Sequence, residues 1–150
     1  MMLLKFSQSI VAKMKMVKSY SELIKLPTFE ERFRYLKCTP EETENEKLGR
    51  SFLQTFYGSI EWKQVRRMVV VRDNGLDLGC KGHEIAYHPI IHHINPISLE
   101  DLVNRTELLL DPENLICTCK RTHEAIHHGD ESILYTPELV VRRPGDTTLW

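Results

Sequence analysis

Six of the seven histidines of this chain fall between residues 88 and 128, and they sit where the sequence pattern changes from strand to helix. The β-branched Ile90 and Ile91 predict a strand that runs into the adjacent His92 and His93. Asn95–Pro96 turns the chain, Ser98 to Asp101 can cap a short helix, and Leu108 to Pro112 close that insertion. Asn114 to Cys117 reads as a second extended segment. Thr118 is then expected to cap a helix from Cys119 to His128, with Gly129 as its stop. Residues 85 to 128 therefore read as strand, strand, helix.

That order constrains where the imidazoles point. His123 and His127 are four apart on the predicted helix, so their rings share one face about one turn (~5.4 Å) apart. Two such rings can grip one metal ion, although a pair at this spacing is by itself better explained by surface or core packing. His92 and His93 add the stronger constraint. Neighbours on a strand face opposite ways, so one can ligate an ion while the other faces a substrate phosphate. Phosphodiester hydrolysis needs a base for the attacking water and a cation for the departing oxygen. An imidazole with an ordinary pKa near ~6.5 suits the first task and a divalent ion the second.

The rest of the chain is compatible with one domain of ordinary size. It has 150 residues, 41% of them hydrophobic and 27% charged, which supports a globular core and not a disordered tail. The net charge of -1 excludes a domain that is basic throughout, so affinity for nucleic acid must come from local patches. Cys38, Cys80, Cys117 and Cys119 are too few and too irregular for a secreted disulfide framework, which makes a reducing cytoplasm the expected compartment.

Ahead of the histidines the chain reads as helices. Residues 1 to 19 carry four lysines and no acid, with apolar runs too broken for a signal peptide or a membrane span. They read as a basic amphipathic or frayed arm. Thr28 to Glu31 forms a capping-box pattern, followed by Phe29, Phe33 and Leu36 at helical spacing. Thr39–Pro40–Glu41–Glu42 is a second helix start, ending near Gly49. An amphipathic piece from Phe52 to Tyr57 leads to Ser59, a good N-cap for a helix from Ile60 that runs through Trp62 to Val71. Asp73–Asn74–Gly75 is a turn signal. The tail from Val140 lacks periodicity and is expected to pack back through Leu149 and Trp150.

Ile91–His92–His93–Ile94–Asn95–Pro96, then Asn114–Leu115–Ile116, then His123 and His127, together resemble the motif of the HNH, or ββα-metal (His-Me finger), nucleases. Asn114 stands nine residues before His123 and thirteen before His127, spacings also found in the DNase colicins of that superfamily. The likeness covers about residues 59 to 130. More loosely, the stretches 59–62, 71–75, 122–130, 31–36 and 143–146 are similar to a group of bacteriophage HNH proteins. The resemblance implies an α+β fold: an N-terminal helical section over residues 1–58, an HNH nuclease core over 59–130 and a C-terminal tail over 131–150 packed on it.

It also implies roles. His92, His123 and His127 would ligate one divalent ion, and His93 would be the general base. Asn114 would hold the loop or the base in position, or ligate the metal as in some family members. The working ion would be Mg²⁺ or Mn²⁺, while three imidazoles are soft enough to retain Zn²⁺ or Ni²⁺ through purification. The partner would be DNA, with no membrane, and phage packaging proteins enter as further partners. The compartment would be the host bacterial cytoplasm if the chain is phage-encoded. Arg66, Arg67, Arg72, Lys120 and Arg121 could neutralise backbone phosphates without reading bases, though each also reads as part of a solvated helix face.

One feature departs from the family. Many HNH proteins hold a structural zinc with two CxxC pairs, whereas this chain has Cys80–Lys81–Gly82–His83 and Cys119–Lys120–Arg121–Thr122. A closed tetrahedral zinc site wants four Cys or His ligands, so free thiols are expected here instead. His88 and His128 fit no slot of the motif and read as surface residues. Two other classes stay open: a catalytically inactive HNH-fold protein that binds DNA or assists packaging, and a nuclease directed at RNA or acting as a toxin.

Overall fold

The computed structural model describes residues 17–42, 50–80, 85 and 88–134. The expectations placed on residues 1–16, on Gly49, on His83 and on the tail with Leu149 and Trp150 lie outside them. The described chain is mixed α and β. In order it forms α1 (Tyr20–Leu23), α2 (Phe29–Leu36), α3 (Arg50–Gly58), α4 (Ile60–Arg72), β1 (Ile90–His93), α5 (Leu99–Asn104), β2 (Leu115–Thr118) and α6 (Lys120–His128). Short 3₁₀ turns occupy Glu107–Leu109, Pro112–Asn114 and Glu131–Leu134.

The helix starts follow from local side-chain chemistry. Thr28 and Glu31 satisfy each other's backbone N–H groups in a capping box at α2, and Ser98 and Asp101 do the same at α5. The Thr39 and Glu42 pair repeats it, with Thr39 N–H donating to Glu42 at 2.7 Å. Ser59 accepts from the Trp62 N–H at the start of α4, and Asn74 and Gly75 turn the chain after it with φ of 54° and 64°. One cap differs from expectation. Thr118 stays in β2, donating its hydroxyl to the Ile90 carbonyl at 3.3 Å, and Cys119 caps α6 through its sulfur, which accepts from Thr122 N–H at 3.4 Å. Pairing with β1 claims Thr118, so the helix starts one residue later. Gly129 ends α6 with φ +64°, as expected.

β1 and β2 pair antiparallel, with His92 opposite Ile116 and His93 opposite Leu115. Strand alternation then sorts the side chains between two cores. Ile91, Leu115 and Cys117 pack with Trp62 and Val69 of α4. Ile116 and Ile94 pack with Ala125 and Ile126 of α6 and with Leu23, Phe33 and Leu36 of α1 and α2. The two-stranded sheet is thus covered on both faces, and α1 and α2 share a core with the histidine helix. A third cluster, Ile97, Leu102, Leu108 and Leu109, anchors the segment between the strands. Among the described residues no helix is long and apolar enough to cross a membrane.

Two buried aspartates tie α4 and its following loop to β2 and α6. Asp73 accepts from Cys117 N–H at 2.8 Å. Asp77 accepts from Gly79 and Cys80 N–H with one oxygen and from Cys119 N–H with the other. This brings Gly79 so close to α6 that a Cβ there would sit 2.7 Å from the Thr122 methyl.

Candidate metal centre

β1 presents His92 to α6, where His123 and His127 project from successive turns. The His92 ring stands edge-on to both, with centroids 5.4 Å from His123 and 5.2 Å from His127. Nε2 of His123 and Nε2 of His127 are 3.0 Å apart. The three residues each offer a ring nitrogen, and those atoms lie within 4.8 Å of one another. Nitrogens bound to one tetrahedral ion at ~2.0–2.1 Å lie about 3.3 Å apart, so the cluster needs only small adjustment to close on a cation.

Two observations support a fit. Nε2 of His92 is buried without a hydrogen-bond partner, which is costly unless something in the native site engages it. All three rings are also held neutral. Burial pushes His92 well below its ordinary 6.5, and the like charges of His123, His127, His93 and Lys18 add to it. Burial, then His127 and His93, depress His123 to about 4. Burial, then His128, lowers His127. A neutral imidazole is the ligating form, so an ion need displace no proton at neutral pH.

His93 faces the other side of the strand. Its ring stacks on Trp62, with centroids 5.5 Å apart at 17°, and also touches Phe56. Nε2 lies 3.0 Å from the Leu109 carbonyl oxygen. That oxygen can only accept, so Nε2 carries the proton and Nδ1 keeps the lone pair. Burial depresses His93 to about 4, against the Leu109 hydrogen bond and the charge of Asp101, which both favour the protonated ring.

Asn114 is fully buried, and its carboxamide makes four hydrogen bonds. Oδ1 accepts from the backbone N–H and from Nδ2 of Asn95, both at 2.7 Å. Nδ2 donates to the carbonyls of Leu108 at 3.0 Å and Asn95 at 3.4 Å. The backbone carbonyl of Asn114 accepts from Ile94 N–H at 2.8 Å. Of the roles open to Asn114, this bonding matches holding the end of β1, since no lone pair of the carboxamide is left for a metal.

The basic residues separate into two kinds. Arg72 spends four of its five donors inside the fold, on both oxygens of Asp73 and on the carbonyls of Pro112 and Leu115, and its guanidinium lies 3.6 Å over the Tyr20 ring. It clamps β2 to α4. Arg66 donates to the Pro89 carbonyl at 2.9 Å just ahead of β1. Arg67, Lys120 and Arg121 are exposed, with Lys120 3.8 Å from Glu124. His88 and His128 are exposed too. The four cysteines are free thiols, with Cys80 and Cys117 buried and raised by that burial to about 11 and about 12.

The residues missed in the sequence are those that position others: Asn95, Trp62 beside His93, and the backbone of Leu109. Only Asn95, beside the paired histidines, had a local signal, and its turn-forming character accounted for it. Comparison with protein-family models, with curated proteins and with solved structures found no significant match to this chain.

Proposed function

We propose that this chain is a metal-dependent endonuclease of the HNH, ββα-metal, type that hydrolyses DNA phosphodiester bonds. The observation that carries the reading is the convergence of His92, His123 and His127, three neutral imidazoles with one buried nitrogen lacking a partner. The order of antiparallel β1 and β2 followed by α6 supports the reading. A divalent ion bound there would neutralise charge on the phosphate and on the leaving oxygen. Mg²⁺ or Mn²⁺ is the proposed working ion, with Zn²⁺ and Ni²⁺ favoured by the all-nitrogen ligand set.

One group of the protein accounts for the proton of the attacking water. His93 is fixed with Nε2–H on the Leu109 carbonyl, which leaves Nδ1 to take a proton from water as the water attacks phosphorus. The P–O3′ bond breaks on the opposite side and the departing oxygen takes a proton from solvent water, leaving a 5′-phosphate and a 3′-hydroxyl. Trp62 holds the ring's plane, and Asn114 holds the end of the strand that carries it. Arg67, Lys120 and Arg121 are the exposed cations for neighbouring phosphates, and Arg66 is half committed to Pro89. Arg72 is left out of this set because its donors are engaged.

A plasmid-nicking assay tests the reading, with EDTA and then add-back of Mg²⁺, Mn²⁺, Ni²⁺ or Zn²⁺. Cleavage that depends on metal is expected, and no nicking with any ion overturns it. A second reading, an HNH-fold DNA-binding or packaging-accessory protein without catalysis, draws on the burial of His93, which is only 7% exposed. Duplex binding by the wild type without nicking in that assay would establish it.

A further inference from the structure

Cys80 and Cys119, far apart in the sequence, meet at one buried carboxylate. Asp77 Oδ1 accepts from the Gly79 N–H at 2.9 Å and the Cys80 N–H at 3.1 Å, and Oδ2 accepts from the Cys119 N–H at 3.1 Å. The two cysteine backbones are thus pinned to opposite oxygens of a single side chain, in a residue only 2% exposed. The neighbouring contact is as close. A Cβ on Gly79 would sit 2.7 Å from the Thr122 methyl, and the Thr122 hydroxyl lies 3.3 Å from the Cys119 sulfur. The loop after α4 therefore rests on the first turn of α6, with one thiol on each side of the seam.

The two thiols differ in access. Cys119 is half-buried, so an oxidant dissolved in water reaches it first, and its sulfur accepts from the Thr122 N–H at 3.4 Å. Cys80 is buried, and that burial raises its thiol to about 11, with the Asp77 carboxylate and then the Cys119 sulfur adding to the rise. The other two cysteines are placed elsewhere. Cys117 is packed in the core with Trp62 and Val69, and Cys38 meets the last turn of α6, its N–H donating to the Ile126 carbonyl at 2.9 Å.

We propose that Cys80 and Cys119 are a peroxide-sensitive dithiol, which closes to a disulfide that ties the loop after α4 to the start of the histidine helix. In the first step the Cys119 thiolate attacks one oxygen of hydrogen peroxide. The S–O bond forms, the O–O bond breaks, and the departing hydroxide takes the proton that the thiol gave up, leaving as water. Cys119 is then a sulfenic acid. In the second step the Cys80 sulfur, giving up its proton, attacks the sulfenic sulfur. The S–S bond forms, the S–O bond breaks, and hydroxide leaves with that proton as a second water. The sulfurs are oxidised and the peroxide oxygens reduced. This site is separate from the imidazole cluster and does not depend on the nuclease reading.

The test treats the metal-free full chain with a small excess of hydrogen peroxide, stops the reaction with catalase, and alkylates the remaining thiols in denaturant before mass spectrometry. The four alkylated thiols of the reduced protein should fall to two. A peptide joining Cys80 to Cys119 should appear, and dithiothreitol should restore all four. Cys80→Ser should stop at a sulfenic acid on Cys119, trapped by dimedone, and Cys119→Ser should leave Cys80 a thiol. The linked wild type should melt several degrees above the reduced chain, because the bond closes a long loop whose ends already meet in the native state. If a serine variant does not fold, the peptide map and melt of the wild type decide the matter.

A wild type that keeps all four thiols, stops at a sulfenic acid, or oxidises at Cys38 or Cys117 instead overturns the proposal. So does a Cys80–Cys119 link that forms only with a fall in melting temperature, because the sulfurs would then not meet in the native fold. None of these outcomes touches the nuclease reading, which the nicking assay decides.

Discussion

The carboxamide oxygen of Asn114 receives two hydrogen bonds from the single residue Asn95, one from its backbone and one from its side chain, each 2.7 Å long. The pair closes the open end of the β1–β2 ladder. Beyond the His93–Leu115 pair the strands are joined by the Ile94 N–H bond to the Asn114 carbonyl, and the two Asn bonds extend that closure. Because His92 and His93 are the last residues of β1, the Asn pair fixes the point from which both rings project.

Asn114→Ala should therefore destabilise the fold while acting on the site indirectly. It deletes four hydrogen bonds and strands two donors of Asn95 and the Leu108 carbonyl in the interior. At about 1 kcal/mol per bond, with more for each buried group left unpaired, the loss should be about 3–5 kcal/mol. Urea unfolding of the metal-free protein measures it. A loss below about 1 kcal/mol would mean that the ladder end is held by packing alone.

His93→Ala should abolish nicking while leaving Mn²⁺ bound. The ring lies across the strand from the cluster, stacked on Trp62 and bonded to Leu109. Removing it takes no ligand away. Calorimetric titration with Mn²⁺ beside the nicking assay separates the two functions. Lost metal binding with retained cleavage would exchange the roles of His92 and His93.

Acid should unfold the metal-free protein earlier than its carboxylates would require. In the unfolded chain His93 takes a proton near ~6.5, but the folded site resists until about 4. Between those values the unfolded state binds more protons, so stability is full above about 6.5 and falls as pH drops toward 4. His93 alone would remove about 3 kcal/mol over that window, and His123, also held near 4, acts in the same direction. Urea midpoints at pH 7 and pH 5 check the sign. Equal midpoints would mean that the rings accept protons in place.

Arg67 and Arg72, five residues apart on one helix, should behave oppositely. Arg67→Ala removes an exposed cation and should weaken duplex binding with a shallower salt dependence, leaving stability within about 0.5 kcal/mol of wild type. Arg72→Ala strands the Pro112 and Leu115 carbonyls and the carboxylate of Asp73, itself bonded to Cys117. It should lower stability by about 2–4 kcal/mol. Thermal melts and duplex titrations on both variants separate a phosphate contact from a clamp.

Much of the centre was legible because its signals are local. Helical spacing put His123 and His127 on one face, strand alternation separated His92 from His93, and the caps at Thr28, Ser59 and Ser98 lie within three residues of their partners. What escaped depends on distant contacts. Arg72 reads as a phosphate-binding cation until Pro112 and Leu115, 40 and 43 residues on, supply carbonyls for it. Asn95 reads as a turn residue until Lys18, 77 residues earlier, comes to lie against it. Thr118 is a better N-cap than Cys119 by side-chain chemistry, and only the register with Ile90 shows why it stays in the strand. The likeness to the ββα motif rests on the order and spacing of five polar residues.

Removing one ligand should separate metal affinity from fold stability. His127 is half-buried on the last turn of α6, and the helix keeps its other supports without it. Cys119 caps the start, Gly129 ends it in a left-handed turn, and Ala125 and Ile126 remain fully buried against α2 and the sheet. The 3.0 Å approach of the His127 and His123 nitrogens would vanish, which also relieves the crowding of two rings. Metal-free His127→Ala should thus melt within a few degrees of wild type. A cation that binds only the folded state stabilises it by RT ln(1 + [L]/Kd), so Mn²⁺ at about 100 times Kd should add about 2.7 kcal/mol to the wild type. The variant, with two imidazoles in place of three, should gain much less at the same concentration and should need far more Mn²⁺ for any nicking. If wild type and variant gain equally, His127 is not a ligand, and the ion, if any, is held elsewhere.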